Sequence, residues 1–273
     1  MTRIAHLSDT HFGTELPQVA EALLDCLTGL RPDLTVVSGD VTQRARPSEF
    51  AAAVDYFRRL PSPFMVLPGN HDIPLFDLAS RLLRPYRNFR AAFRAGAELW
   101  QGEAAAVLGL DTTLPLRHTR GRLDTAQLSR LTAQLPQEAA GKMRISAVHQ
   151  PLHAAWPEDR DEVLLNAEEA AHAFARERID VVLSGHVHVP VVTTTRQLFP
   201  RLRRHFILAG AGTAISYRTR PGAPNSFNLL SCEPGQGSVE VQSFHFAKDS
   251  RAFHPHARFA FSLALDGWTE SSV

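Results

Sequence analysis

The chain has 273 residues, 44% of them hydrophobic and 21% charged, enough to bury the core of one large α/β domain and too apolar for domain-scale disorder. Its formal net charge of +1 gives no bulk attraction to nucleic acid or an anionic membrane, and no extended basic tract is present to hold a polymer. Cys26 and Cys232 are the only cysteines, which excludes a disulfide framework and a thiolate metal site, whereas 13 histidines are many for this length.

In chain order, short β-branched runs alternate with helical patterns. Residues 3–8 read as a strand, and the charged start MTRIAHLSDTHF leaves no apolar stretch for a signal peptide. Residues 17–30 read as a helix, with Pro17 in its first turn and Val19, Leu23, Cys26, Leu27 and Leu30 on one face. Strands follow at 33–38 and 63–67 around a helix at 47–60. Residues 73–100 lack a strand pattern and carry Arg81, Arg84, Arg87, Arg90 and Arg94 at helical spacing, interrupted by Pro85. They read either as a cap that steers an anionic substrate or as a helix with a solvated basic face.

Further strands are expected at 105–110, 144–148 and 179–184, with helices at 125–135, capped by Asp124, and at 166–178. Beyond Val189, runs at 190–196, 205–209, 226–231 and 238–246 are separated by Gly, Pro and Asn turns and read as a meander in a second sheet. The whole is expected to be a four-layer α/β/β/α sandwich of two mixed sheets flanked by helices. Residues 1–247 would form the domain and 248–273 a strand or docking segment. No run reaches the roughly 18 apolar residues of a membrane span, and together with the cysteine usage this points to a cytoplasmic protein.

Polar motifs follow five of the strands at once: Asp9-Thr10-His11, Gly39-Asp40, Gly69-Asn70-His71-Asp72, His149-Gln150-Pro151 and Gly185-His186-Val187-His188. Ligands of open α/β sheets bind outside the carboxyl ends of the strands, so the five can converge on one rim. Carboxylates and neutral imidazoles suit manganese, iron or zinc, and Asp40 is a natural bridge between two ions. Gly39, Gly69 and Gly185 each precede a candidate ligand, where a tight turn needs permissive dihedrals. Asp111 ends a sixth strand and is expected to brace or cap. His118 and His153 lack ligand spacing and are expected to be structural, as are His245, His254 and His256.

The ordered set DTH, GD, GNHD, H-x-P and GHVH resembles the calcineurin-like metallophosphoesterase superfamily over residues 3 to about 190. GDVTQRARPSEF, GRLDTAQLSRL and PNSFNLL are similar to its bacterial branch of class III cyclic nucleotide phosphodiesterases and glycerophosphodiesterases. The resemblance implies a dinuclear site at the C-terminal rim of the strands. One divalent or trivalent ion (manganese, iron or zinc) would be held by Asp9, His11, Asp40 and His188, and a second by Asp40, Asn70, His149 and His186. A hydroxide shared by the ions would be the nucleophile.

His71 would stand near the leaving group as general acid or donor, with Asp72 orienting it. Arg44 and Arg46 follow Asp40 closely enough to meet phosphate. The chain departs from the His-His-Pro of many relatives at Gln150. Two divalent ions, two aspartates and a hydroxide leave a single positive charge, which a phosphodiester monoanion neutralises. A small phosphodiester, with a 3′,5′-cyclic nucleotide as first choice, is therefore the expected substrate. The alternatives are a phosphodiesterase or pyrophosphatase acting on glycerophosphodiesters or phospholipid headgroups, and a non-catalytic protein-binding scaffold, although every ligand is intact. The second-sheet edge is a candidate surface for a homodimer.

Overall fold

The structure is a computed structural model, and it describes residues 1–93, 99–135, 141–235 and 237–271. Arg94, part of the expected basic face, lies outside the described residues.

The strands are β1 (Thr2–Leu7), β2 (Leu34–Val37), β3 (Phe64–Val66), β4 (Leu99–Gln101), β5 (Ala105–Gly109), β6 (Met143–Ala147), β7 (Val181–Ser184), β8 (Val191–Thr194), β9 (Ile207–Gly210), β10 (Ser226–Cys232), β11 (Ser238–Ala247), β12 (Ala252–Ala264) and β13 (Gly267–Ser271). The helices are α1 (Pro17–Leu30), α2 (Pro47–Phe57), α3 (Leu78–Leu83), α4 (Arg87–Phe93), α5 (Thr125–Gln134) and α6 (Ala167–Arg176). Pro17 opens α1, and Arg31 closes it in the left-handed region with its N–H on the Leu27 carbonyl. Asp124 caps α5 by accepting from the Gln127 N–H at 2.8 Å.

One sheet has the order β13-β12-β11-β10-β1-β2-β3 and the other β4-β5-β6-β7-β9-β8. Three apolar clusters make the layers. Ile4, Val36 and Met65 of the first sheet meet Val107, Ile145 and Val181 of the second between the sheets. Leu23 and Leu27 of α1 and Phe50 and Phe57 of α2 cover the outer face of the first. Leu128 and Leu131 of α5 and Phe174 of α6 cover the second. The four residues of β2 are all buried, as are those of β7. Parallel strands covered on both faces read as continuous apolar runs for this reason.

Two expectations need correction. Residues 190–246 are not a meander in a second sheet. Only β8 and β9 join the second sheet. β10 pairs antiparallel with β1, Thr2 opposite Cys232, and carries β11, β12 and β13 onto the first. Local periodicity marks a strand but not its partner, and here the partner lies at the other end of the chain. The 73–100 segment also contains a strand, β4, beside the two short helices on either side of Pro85. Phe89 of α4 packs on Phe50 of α2, ring centroids 6.2 Å apart. Past residue 247 the chain continues the first sheet, with β12 pairing β11 and β13 at the edge.

Candidate metal centre

The five polar motifs do converge, but the rim is shared by two sheets. β1, β2 and β3 deliver Asp9, Asp40 and Asn70 from one, while β6 and β7 deliver His149 and His186 from the other. Backbone bonds lock the loops together. The N–H groups of Asp9, His11 and Gly185 donate to the carbonyls of Gly39, Asp40 and His149 at 3.0–3.1 Å. Across the sheets, the His186 N–H donates to Asp9 Oδ2 at 2.9 Å.

Two sets of ligand atoms result, Asp9, His11, Asp40 and His188 in one and Asp40, His149 and His186 in the other, each within 4.8 Å of one another. Asp40 belongs to both. In the first set His11 Nε2 lies 3.3 Å from His188 Nε2, which in turn lies 3.3 Å from Asp9 Oδ1. In the second His149 Nε2 lies 3.3 Å from Asp40 Oδ1 and 3.1 Å from Asn70 Oδ1. Ligands about 2.1 Å from a common ion stand roughly 3.0–3.4 Å apart, so these spacings fit shared coordination. On the candidate ligand side chains, the buried atoms Asp9 Oδ1, His11 Nδ1 and His186 Nδ1 have no hydrogen-bond partner among the described residues, and for Asp9 Oδ1 and His186 Nδ1 an ion would relieve that costly state. The donor set and its orphaned atoms fit a pair of metal ions.

Electrostatics agree. Burial opposes ionisation of Asp9 and Asp40, yet neighbouring histidines, chiefly His188 for Asp9 and His149 for Asp40, hold both carboxyls below the usual range. Burial also works against a charged His149, but the Asp40 and Asp9 carboxylates lift it to about 9. Burial takes His11 down to about 4, leaving it a neutral imidazole that could serve as a ligand.

The backbone carries strain at the candidate ligands. Asp9, His11, Asp40, His186 and His188 all have positive φ, between 44° and 75°. Side chains adopt that region at a cost of order 1–3 kcal/mol, and such residues concentrate at functional sites. Gly39 is itself at φ +103, as a permissive turn requires. Gly69 and Gly185 are not left-handed, and their smallness has a different reason. A Cβ on Gly69 would lie 2.2 Å from Asp40 Oδ1, and one on Gly185 would lie 1.8 Å from Ser8 Oγ and 2.6 Å from Asp9 Oδ2. They let backbone approach the ligands.

His71 is half-buried beside the cluster, its ring 4.9 Å from that of His11. Its Nδ1 donates to the Gln43 carbonyl at 2.9 Å, which fixes the proton there and leaves Nε2 toward Arg218 Nη1 at 3.2 Å. Among the described residues Asp72 makes no hydrogen bond to the His71 ring. Its buried carboxylate accepts from the N–H groups of Val41, Thr42 and Gly69 and from the Thr42 hydroxyl, at 2.8–3.0 Å. It therefore ties the loop bearing Asp40 to the loop bearing Asn70. Burial and the nearby Asp40 charge raise its pKa to about 6.

Gln150 turns away from the site and donates to the Thr119 carbonyl at 2.9 Å. Arg44 lines the cleft beside His71, but Arg46, at the start of α2, is exposed and lines neither cleft beside the cluster. Asp111 braces the following turn by accepting from the Thr113 N–H at 2.9 Å.

Sequence reasoning missed two residues at the site, Arg218 and Glu162, while the Asn225–Asn228 stretch was a candidate to bring polar groups to the rim. Arg218 contacts His71; the Asn225 side chain, donating to the Ser216 carbonyl at 2.8 Å, braces its loop. Glu162 meets His186 Nε2 at 3.2 Å on the side away from the bare Nδ1. His118, expected to be structural, lies 6.3 Å from the His71 ring and lines the same cleft. PNSFNLL hinted at the Arg218 loop; nothing local marked Glu162.

The profile of the family described as calcineurin-like phosphoesterase matches residues 2–190. A probable cyclic nucleotide phosphodiesterase of Synechococcus sp. is 26% identical over 267 residues, covering 89% of this chain and 95% of that protein. A glycerophosphodiester phosphodiesterase of Enterobacter lignolyticus is 30% identical over 165 residues, 54% of this chain and 56% of that one. Among solved structures, a dimetal phosphatase from Danio rerio superposes with a TM-score of 0.62 at 14% identity, covering 89% of this chain and 95% of that chain. A purple acid phosphatase from yellow lupin reaches 0.69 at 12% identity; this chain, 96% covered, spans 53% of its length. These two share the fold. No helix among the described residues is long and apolar enough to cross a membrane.

Proposed function

The chain belongs to the calcineurin-like phosphoesterase family and is a metal-dependent phosphoesterase, and from that premise we propose that it hydrolyses a small phosphodiester, with a 3′,5′-cyclic nucleotide as the first substrate to test. The observation that carries the reading is the pair of ligand sets sharing Asp40. Asp9, His11, Asp40 and His188 would hold one ion and Asp40, Asn70, His149 and His186 the other. The nitrogen and oxygen donors favour manganese, iron or zinc. Two such ions, when bound, supply Lewis acidity to phosphoryl oxygens and acidify water.

The protein's own groups do the rest. Asp72, by clamping the backbone at Val41, Thr42 and Gly69, keeps Asp40 and Asn70 in register. The Gln43 carbonyl holds the His71 proton on Nδ1, so His71 assists a departing alkoxide from Nε2 only when doubly protonated. Gln150 and Thr119 hold the loop that walls the cleft on the other side.

The full-length similarity to a probable cyclic nucleotide phosphodiesterase supports the first choice of substrate. A glycerophosphodiester is the second reading, favoured by the 30% identity to a glycerophosphodiester phosphodiesterase. Free Cys26 and Cys232 fit a cytoplasmic setting for either. A turnover panel with manganese, comparing bis-p-nitrophenyl phosphate, its monoester, cyclic AMP and glycerophosphocholine, tests the proposal. Diester turnover at least tenfold above the monoester is expected, and equal or greater turnover of the monoester overturns the assignment.

A further inference from the structure

Two clefts open from the ligand cluster, and their charges differ. On the Glu162 side the wall carries four carboxylates, Asp40, Glu158, Asp159 and Glu162; Arg218 stands between the two clefts and lines both, and Arg220 is committed on this side to Asp159 at 3.2 Å. On the His71 side a cleft of about 270 Å³ is lined by Arg44, Arg81 and Arg218, and among the described residues no carboxylate lines it. Arg81 is buried and anchored, donating to the carbonyls of Pro74 at 3.1 Å and Arg117 at 2.8 Å. Half-buried Arg218 donates to Gln43 Oε1 at 3.0 Å and lies 3.2 Å from His71 Nε2, so neither partner is a carboxylate. Exposed Arg44 rests 5.0 Å from the Phe76 ring centroid, with no carboxylate within ion-pair distance among the described residues.

Like charges gathered in one recess repel, and the repulsion is relieved when an anion enters. The planar guanidinium fork matches phosphate oxygens. Phe76, at its side, gives the recess an apolar wall.

We infer that this cleft is a subsite for a second phosphate carried by the substrate, distinct from the phosphoryl group at the ligand cluster. Applied to catalysis, the inference rests on the phosphodiesterase reading; the binding it describes does not. Among small diesters it selects those with a terminal phosphate over those with none.

The test uses manganese-loaded protein and a matched chromogenic pair, thymidine 5′-(p-nitrophenyl phosphate) with and without a 3′-phosphate. The ester that carries the 3′-phosphate is expected to have a kcat/KM at least tenfold higher, expressed mainly in KM. Arg44→Gln and Arg218→Gln should each cut that preference at least fivefold; Arg44 is exposed, so its variant keeps the fold. Calorimetry gives the second readout, in which thymidine 3′,5′-bisphosphate is expected to bind at least tenfold tighter than thymidine 5′-phosphate, a difference both variants reduce. A preference near one, or a preference and binding difference untouched in both variants, overturns the subsite. If the binding difference is present but neither ester is hydrolysed, the subsite stands and the phosphodiesterase reading falls.

Discussion

Glu162→Gln tests how far the second ion depends on a residue that does not itself belong to either ligand set. Glu162 Oε2 accepts from His186 Nε2 at 3.2 Å, and His186 Nδ1, buried and without a partner among the described residues, is left for an ion. A carboxylate behind a metal-bound imidazole fixes the tautomer and raises ligand basicity, and losing one typically costs about 10–100-fold in metal affinity. The Glu162 side chain is 37% exposed, so water takes over part of its role in the variant. The lower end applies, about tenfold or about 1.4 kcal/mol. The loss should be selective, because Glu162 touches none of Asp9, His11, Asp40 and His188. Manganese titration of wild type and variant, followed by calorimetry and by the spin resonance of free manganese, resolves the two steps. One step should weaken about tenfold and the other change less than twofold. Equal weakening of both steps, or of neither, refutes the reasoning.

Asp72→Ala strands three buried backbone N–H groups, those of Val41, Thr42 and Gly69. At about 1 kcal/mol or more each, the metal-free protein should lose about 3 kcal/mol or more, read as a fall in Tm of about 6 °C or more; an unchanged Tm would show that the loops do not need the clamp. His149, lifted to about 9, is a cation at neutral pH in the metal-free protein. Its contribution to stability is full below the ordinary histidine value of 6.5 and is lost as pH rises through about 9. An ion must displace that proton, so affinity at the second set should rise about tenfold per pH unit up to about 9 and then flatten. Calorimetry in buffers of different ionisation enthalpy counts the proton released, and release of none at pH 7.5 contradicts this. Gly185→Ala places a methyl 2.6 Å from Asp9 Oδ2 and 1.8 Å from Ser8 Oγ. Manganese binding should weaken at least tenfold, and wild-type affinity would show that the loop has room.

Much of the site was legible because each ligand follows a strand at once. Asp9-Thr10-His11 and Gly185-His186-Val187-His188 mark candidate metal ligands by residue type and spacing, and parallel strands ending together bring such motifs to one rim. Partner choice among strands was not legible. β10 carries an ordinary strand pattern, and only the three-dimensional structure reveals that it lies against β1. Glu162 and Arg218 escaped notice for the same reason. Their contacts with His186 and His71 span 24 and 147 residues, and neither sits in a patterned motif. Asp72 was placed at the site by its neighbour His71, but its carboxylate points back into the loops. The positive φ of the ligands left no local trace, because Gly69 and Gly185 suggested that the glycines alone carried the unusual dihedrals.

Anomalous diffraction from manganese-loaded crystals measures the sharing of Asp40 most directly. Two peaks about 3.5–4 Å apart, both within bonding distance of Asp40, are expected. A single peak, or a pair of which only one touches Asp40, would contradict the dinuclear account.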